Sequence, residues 1–220
     1  MSEKQFKYKS AFDIIGPIMV GPSSSHTAGA VRIGNLARAL YKYTPKKLVV
    51  TFYGSFAETY KGHGTAVAIV AGVLGFETHD ERIPEAIELA EKQGVMIEFL
   101  VSAKETEHAN TVNLALIDDQ EKLNITAISI GGGSIQLTEI NHHSTLLGQK
   151  KGNGLVFTSD QPKLAVSGVE DALENPTFVQ IQQLNKETIF FVETFSDISQ
   201  KLVAKIKGIP GVTAVIPTTG

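Results

Sequence analysis

From Leu155 onward the chain alternates element types in an order that narrows the fold sharply. Leu155 to Thr158 reads as a strand, Ala165 to Leu173 as a helix, and Thr177 to Leu184 and Thr188 to Phe195 as a strand pair. Ser196 to Ile206 reads as a second helix and Val212 to Pro217 as a last strand. Asn185-Lys186 makes the tight hairpin between the middle strands, and Ser196 or Asp197 is placed to cap the second helix.

This is a βαββαβ unit, the ferredoxin-like order. Before it, Leu147 to Gly154 (LGQKKGNG) is polar and glycine-rich, the best linker in the chain. The division expected is therefore residues 1–147 and 148–220, with the linker at about 147–154. Upstream, Phe12 to Met19 is apolar and extended and runs into a turn, Gly21 to Thr27. Ala28 to Tyr41 follows as an amphipathic helix with Val31, Leu36, Ala39 and Leu40 on one face, capped by Ser25 or Thr27. Lys46 to Tyr53 is a strand; a second helix ends in Thr65 to Leu74, apolar nearly all round and so buried on several sides, with Gly72 permitting close packing. Ile83 to Gln93 is an acidic helix closed by Gly94. Val95 to Val101, Thr111 to Ile117, Ile125 to Ile130 and Ser134 to Ile140 are strands. Helices gather early and strands late, which argues for an α+β (mixed α/β) architecture over a doubly wound parallel sheet.

Composition removes several function classes. The 220 residues contain no cysteine, so this chain holds no disulfide, thiolate zinc site, catalytic thiol or iron–sulfur cluster of its own. With 42% hydrophobic and 20% charged residues, it can bury a core. A net charge of −3 supplies no basic field for nucleic acid. No apolar run nears the roughly 20 residues that a membrane helix needs, and the lysine-bearing start is not followed by a leader-type apolar core. A cytoplasmic protein without nucleic-acid or membrane partners is expected.

Four short motifs concentrate histidine, glycine and small polar residues. Gly21-Pro22-Ser23-Ser24-Ser25-His26-Thr27 sets hydroxyls and helix-start amides where a carboxylate or phosphate could sit, although a plain capping turn would look the same. Lys61-Gly62-His63-Gly64-Thr65 strips steric cover from an imidazole suited to acid/base work near neutrality, or is a surface turn. Glu107-His108-Ala109-Asn110 precedes a strand, and Ser129-Ile130-Gly131-Gly132-Gly133 ends one, either admitting a ligand or forming a bulged hairpin. His79 and the pair His142-His143 read as solvated, with no HExxH or comparable metal pattern. A Walker loop, a GxGxxG after a strand and a GxSxG elbow are all missing.

Taken in order, GPSSSHTAGA (21–30), YGSFAETYKGHGT (53–65), HAN (108–110) and SIGGGSI (129–135) resemble the iron–sulfur L-serine dehydratases, specifically the separate beta chain of the two-chain bacterial enzymes. The resemblance covers about residues 10–145, and the βαββαβ tail matches the ACT domain that ends such chains. It implies a serine-catabolic lyase subunit that turns L-serine into pyruvate and ammonia through an aminoacrylate. The 4Fe-4S cluster would be ligated by cysteines of a partner alpha chain, without which this chain would be inactive. Hydroxide leaves poorly, so an electrophile must bind it. The α-hydrogen is weakly acidic, so a placed base must take it.

Carried over residue by residue, the resemblance makes His63 the base and places His26 beside it. Ser23, Ser24, Ser25 and Thr27 become carboxylate donors, His108 and Asn110 lining, and Gly131, Gly132 and Gly133 a loop of close approach. In the tail, Lys163 stands where amino-acid-binding ACT domains carry the glycine of an Asp-x-Pro-Gly turn, which points to homo-association rather than effector binding. The first domain also resembles an allosteric substrate-binding domain, so a non-catalytic small-molecule sensor is the alternative.

Overall fold

The structure is a computed structural model describing residues 18–145, 153–184 and 186–217. Two sheets organise it. The first holds β1 (Lys47–Phe52), β2 (Met96–Val101), β3 (Thr111–Ile117), β4 (Lys122–Gly131), β5 (Ser134–Ile140) and β6 (His143–Ser144), in the order β2-β1-β3-β4-β5-β6. Only β1 and β2 run parallel; β1–β3 and the later pairs are antiparallel. In β1, β-branched and aromatic residues alternate in burial, and Leu48, Val50 and Phe52 turn inward.

Four helices accompany this sheet: α1 (Gly29–Tyr41), α2 (Gly54–Thr59), α3 (Thr65–Val73) and α4 (Ala86–Lys92). The expected second helix is thus two, broken by the glycines of the 60–64 turn, where Gly64 takes φ 70°. The acidic helix opens as a 3₁₀ turn, Ile83–Glu85, with Pro84 in a first turn where no N–H is required, and Gly94 beyond its end has φ 83°. The helix α3 is buried nearly all round, as its composition requires. Of the stripe expected of it, α1 buries Val31, Leu36 and Leu40 but leaves Ala39 half-buried, and it also buries Ala30, Ile33, Gly34 and Ala37, because α3 covers a second side. The two helices meet at glycine: a Cβ on Gly72 would lie 2.1 Å from the Val31 carbonyl oxygen, and one on Gly34 2.3 Å from that of Ile69.

The second sheet comprises β7 (Asn153–Ser159), β8 (Thr177–Leu184), β9 (Glu187–Thr194) and β10 (Val212–Pro217), in the antiparallel order β10-β7-β9-β8. Helices α5 (Pro162–Glu170) and α6 (Gln200–Lys207) complete βαββαβ, and Ala165, Val169 and Ile206 pack with Leu155, Phe157, Phe190 and Val192. The opposite face is not open to solvent. Val156, Leu184, Ile189 and Phe191 join the core of the first sheet and α1, and Lys42 pairs with Glu187 at 3.5 Å.

Two details differ from the sequence reading, and some of its segments lie outside the described residues. The linker region 147–152 lies outside the described residues, and Asn153 and Gly154 begin β7. Helix α6 is capped by Ser199, whose Oγ accepts from the Leu202 amide at 3.2 Å, rather than by Ser196 or Asp197. The Ser196 hydroxyl instead accepts from the Glu174 amide at 2.8 Å, which ties it to another turn. Of the extended Phe12 to Met19, residues 12–17 lie outside the described residues, as does Asn185 of the hairpin.

The Gly34–Gly72 crossing generates a stability prediction. Gly72→Ala places its methyl against backbone atoms that cannot rotate away, so urea unfolding should show a loss above about 2 kcal/mol. An unchanged midpoint would mean that the helices are not in backbone contact.

Candidate active site

The chain enters α1 through a π turn, Ser24–Ala28, one residue wider per turn than an α-helix. Ser23, in extended conformation, caps it: its Oγ accepts from the His26 amide at 3.2 Å, and its carbonyl accepts from the Thr27 amide at 2.8 Å. Neither Ser25 nor Thr27 is the cap, because each hydroxyl is spent elsewhere. Ser25 Oγ sits 2.9 Å from His26 Nδ1, and buried Thr27 donates to the His63 carbonyl at 3.5 Å.

His26 is consequently held on all sides. Its Nε2 lies 3.3 Å from Ser55 Oγ in the first turn of α2, and Ser23 Oγ is a further 3.5 Å neighbour of Nδ1. Phe56 meets the ring edge-on at 5.1 Å between centroids, and His63 does so at 5.2 Å and 84°. Burial first, and then the charge of His63, hold the His26 pKa below the ordinary histidine value. His63 is exposed in the turn between α2 and α3, and among the described residues its ring makes no hydrogen bond.

The third motif reaches this cluster through backbone. Asn110 Nδ2 donates to the Ser129 carbonyl at 3.3 Å, and the Ser129 amide donates to the Asn110 carbonyl at 3.0 Å. Gly54 presses on the same loop, where a Cβ would stand 2.6 Å from the Ala109 carbonyl oxygen. Ser129 Oγ is buried, has no hydrogen-bond partner and faces Gly29, where a Cβ would lie 2.2 Å away.

Gly131, Gly132 and Gly133 have φ of 99°, 60° and 80° and form a bulged hairpin between β4 and β5. Arg32 Nη1 donates to the Gly133 carbonyl at 2.8 Å, fastening the hairpin to α1. One chain of contacts therefore joins Ser23, Ser25, His26, Thr27 and His63 to Asn110, Ser129 and the glycine hairpin. Ser24 contributes its carbonyl, which accepts from the Gly29 amide.

His108 behaves differently. Its Nδ1 accepts from the Asn110 amide at 3.1 Å, so the neutral ring carries its proton on Nε2. The ring lines an open cavity of about 640 Å³ with Tyr53, Lys104, Thr126, Gln136 and Thr138, and makes no ring contact with His26 or His63. His142 lies 3.4 Å from Glu139, and no three His, Asp or Glu converge as a metal site among the described residues. Sequence reasoning missed Ser55, Arg32 and Ser129 as site residues. Ser55 and Ser129 stand inside quoted motifs, but nothing in their spacing shows which element they touch.

Comparison with known proteins places the chain in a family. A family profile described as "Serine dehydratase beta chain" matches residues 10–98. The chain is 42% identical over 215 residues to the probable L-serine dehydratase beta chain of Bacillus subtilis (strain 168), covering 95% of this chain and 97% of that one. This chain belongs to the serine dehydratase beta-chain family. The L-serine dehydratase beta chain of Peptoniphilus asaccharolyticus is 42% identical over 134 residues, 60% of either chain. L-serine dehydratase TdcG of Escherichia coli (strain K12) is 34% identical over 150 residues, which cover 57% of this chain and 33% of that protein. The beta chain is thus matched almost end to end in one relative and within a third of the other. Among the described residues, no helix is long and apolar enough to cross a membrane.

The lowered His26 pKa fixes a pH dependence. Below about 6.5 the unfolded chain protonates this histidine before the folded one does, so the unfolded state binds more protons and stability decreases as pH is lowered. The contribution is complete above that value and is lost as pH falls towards the native pKa. NMR titration should place His26 below 6.5, and His26→Gln should flatten the acid side of the stability profile. A His26 that titrates at or above the ordinary value would contradict the burial described.

Proposed function

We propose that this chain is the proton-handling half of an L-serine ammonia-lyase acting in serine catabolism in the cytoplasm. Water is lost from L-serine to give an aminoacrylate, which hydrolyses to pyruvate and ammonia. One observation carries the assignment of roles: both ring nitrogens of His26 face hydroxyls, whereas the neighbouring His63 ring is exposed and unbonded. His63 has a lone pair to offer and is the base that takes the α-proton. His26, kept neutral, flanks it without adding a positive charge that would weaken a protonated neighbour.

The substrate carboxylate is assigned to the start of α1. There the Ser24 and Ser25 amides meet no backbone acceptor among the described residues, and the helix dipole favours an anion. Ser23, Ser24 and Ser25 supply hydroxyls around it. Thr27 is assigned a supporting part, since it is buried and donates to the His63 carbonyl. Asn110 and the Gly131–Gly133 hairpin close the far side through Ser129, and His108 is placed at the outer rim.

The residues of this chain do not fit an iron–sulfur cluster, because it has no cysteine and no converging ligand set among the described residues. The 4Fe-4S cluster is accordingly assigned to cysteines of an alpha chain, and this chain alone is inactive. The two thirds of L-serine dehydratase TdcG that this chain does not match support a missing partner of that kind.

A two-domain division, 1–147 and 148–220 with an ACT-like second part, is supported by the separate sheets. With one face of the second sheet covered by helices and the other by the first core, homo-association is left to its edge strands β8 and β10. A sensor reading has one observation in its favour, the open cavity beside His108.

Reconstitution with the alpha chain tests the catalytic reading. His63→Ala should lower serine-to-pyruvate turnover by at least about 10²-fold while the two chains still co-purify. Persistent turnover with a changed response to small molecules would transfer the function to the cavity. Sedimentation of the full chain should show a dimer, and a monomer would remove the proposed edge pairing.

A further inference from the structure

His26 is gripped from two separate elements. Ser25, its chain neighbour, takes Nδ1 at 2.9 Å, while Ser55 reaches Nε2 at 3.3 Å from 29 residues away. The other groups facing the ring are Ser23 from the same turn, Phe56 from α2 and His63 from the α2–α3 turn. A contact to Ser25 moves with the segment that carries the ring and does not by itself stop rotation about χ2, which is a broad torsion for histidine. Ser55 belongs to another element, and that element is fixed. The Ser55 carbonyl accepts from Thr59 Oγ1 at 2.6 Å, and Gly54, with φ 48°, is wedged against Ala109 of the HAN loop.

We infer that Ser55 is a positioning residue of the lyase: its hydroxyl fixes the plane of the His26 imidazole, and through His26 it fixes the edge-on seat of His63. Ser55 touches neither substrate nor reacting atoms in this arrangement. The inference rests on the lyase reading above and adds a residue to it. Without the hydroxyl, a half-buried ring nitrogen loses its partner and the imidazole is free to swing. The same contact couples three motifs, because α2 carries Gly54 against Ala109 and Ser55 against His26 on adjacent residues.

The experiment compares Ser55→Ala, Ser55→Thr, His26→Gln and the double variant Ser55→Ala/His26→Gln in the reconstituted two-chain enzyme. It adds histidine-nitrogen NMR spectra of the full-length beta chain. Ser55→Ala should lower kcat by about 10- to 100-fold with KM changed by less than about threefold, as expected when a catalytic group is misplaced by about an ångström. Ser55→Thr keeps the hydroxyl and should stay within about threefold of wild type. On the His26→Gln background the alanine substitution should cost nothing further, since both act through one contact. The His26 Nε2 resonance should shift in Ser55→Ala while those of His79 and His142 stay in place.

Wild-type kcat in Ser55→Ala beside a slow His26→Gln overturns the role of Ser55 and leaves the lyase reading standing. So does an unmoved His26 resonance, or a further loss in the double variant. Full turnover in His26→Gln overturns the assigned role of His26 and that of Ser55 with it. Should Ser55→Ala fail to fold, Ser55→Cys keeps the side-chain bulk with a weak hydrogen bond, and its kcat should fall between those of wild type and His26→Gln.

Discussion

Where α1 crosses α3 no side chain separates the two backbones, because a Cβ on either Gly34 or Gly72 would stand within 2.3 Å of a carbonyl oxygen on the other helix. That contact sets the geometry of everything at the rim. The π turn bearing His26 runs directly into α1, and α3 begins two residues after His63. With the helices locked at van der Waals distance, the two imidazoles come to an edge-on separation of 5.2 Å. A crossing with side chains between the helices would move α3 outward by ångströms and carry His63 away from His26.

The remaining site contacts attach smaller elements to this pair. Ser55 brings α2 to His26, Gly54 brings the HAN loop to α2, Ser129 lies under Gly29, and Arg32 ties the glycine hairpin to α1. Most of these are close approaches to backbone rather than ion pairs. Such contacts do not depend on salt, so the rim keeps its shape while carrying little fixed charge. A neutral His26 fits such a rim, since burial and the neighbouring His63 both disfavour its protonated form.

The elements that the sequence makes legible are those whose hydrophobic period is unambiguous. Thr111–Ile117, Ser134–Ile140, Thr177–Leu184 and Val212–Pro217 are strands with the bounds their patterns indicate, and the largely apolar α3 is buried nearly all round. The ends of elements were less legible. Ser196 and Ser25 have the chemistry of helix caps, but each hydroxyl has a competing partner contributed by another part of the fold, Glu174 in one case and the His26 ring in the other. In the candidate site, residues from all four motifs meet in one chain of contacts. His108 shows the limit, because its Nδ1 is committed to the Asn110 amide and its ring lines the cavity beside the cluster.

By itself the sequence determined the βαββαβ order, the lack of any thiolate in this chain and the four ordered motifs that mark the family, since each depends on residue type and spacing along the chain. Only the tertiary structure decided which histidine is held and which is exposed, that Ser55 meets His26 and Arg32 the glycine hairpin, and that the second sheet packs its open face on the first core. The reason is physical. Periodicity and composition are local properties of the chain, whereas a hydrogen bond between Ser55 and His26 exists only once the fold has brought α2 beside the turn that opens α1 and placed residues 29 apart within 3.3 Å.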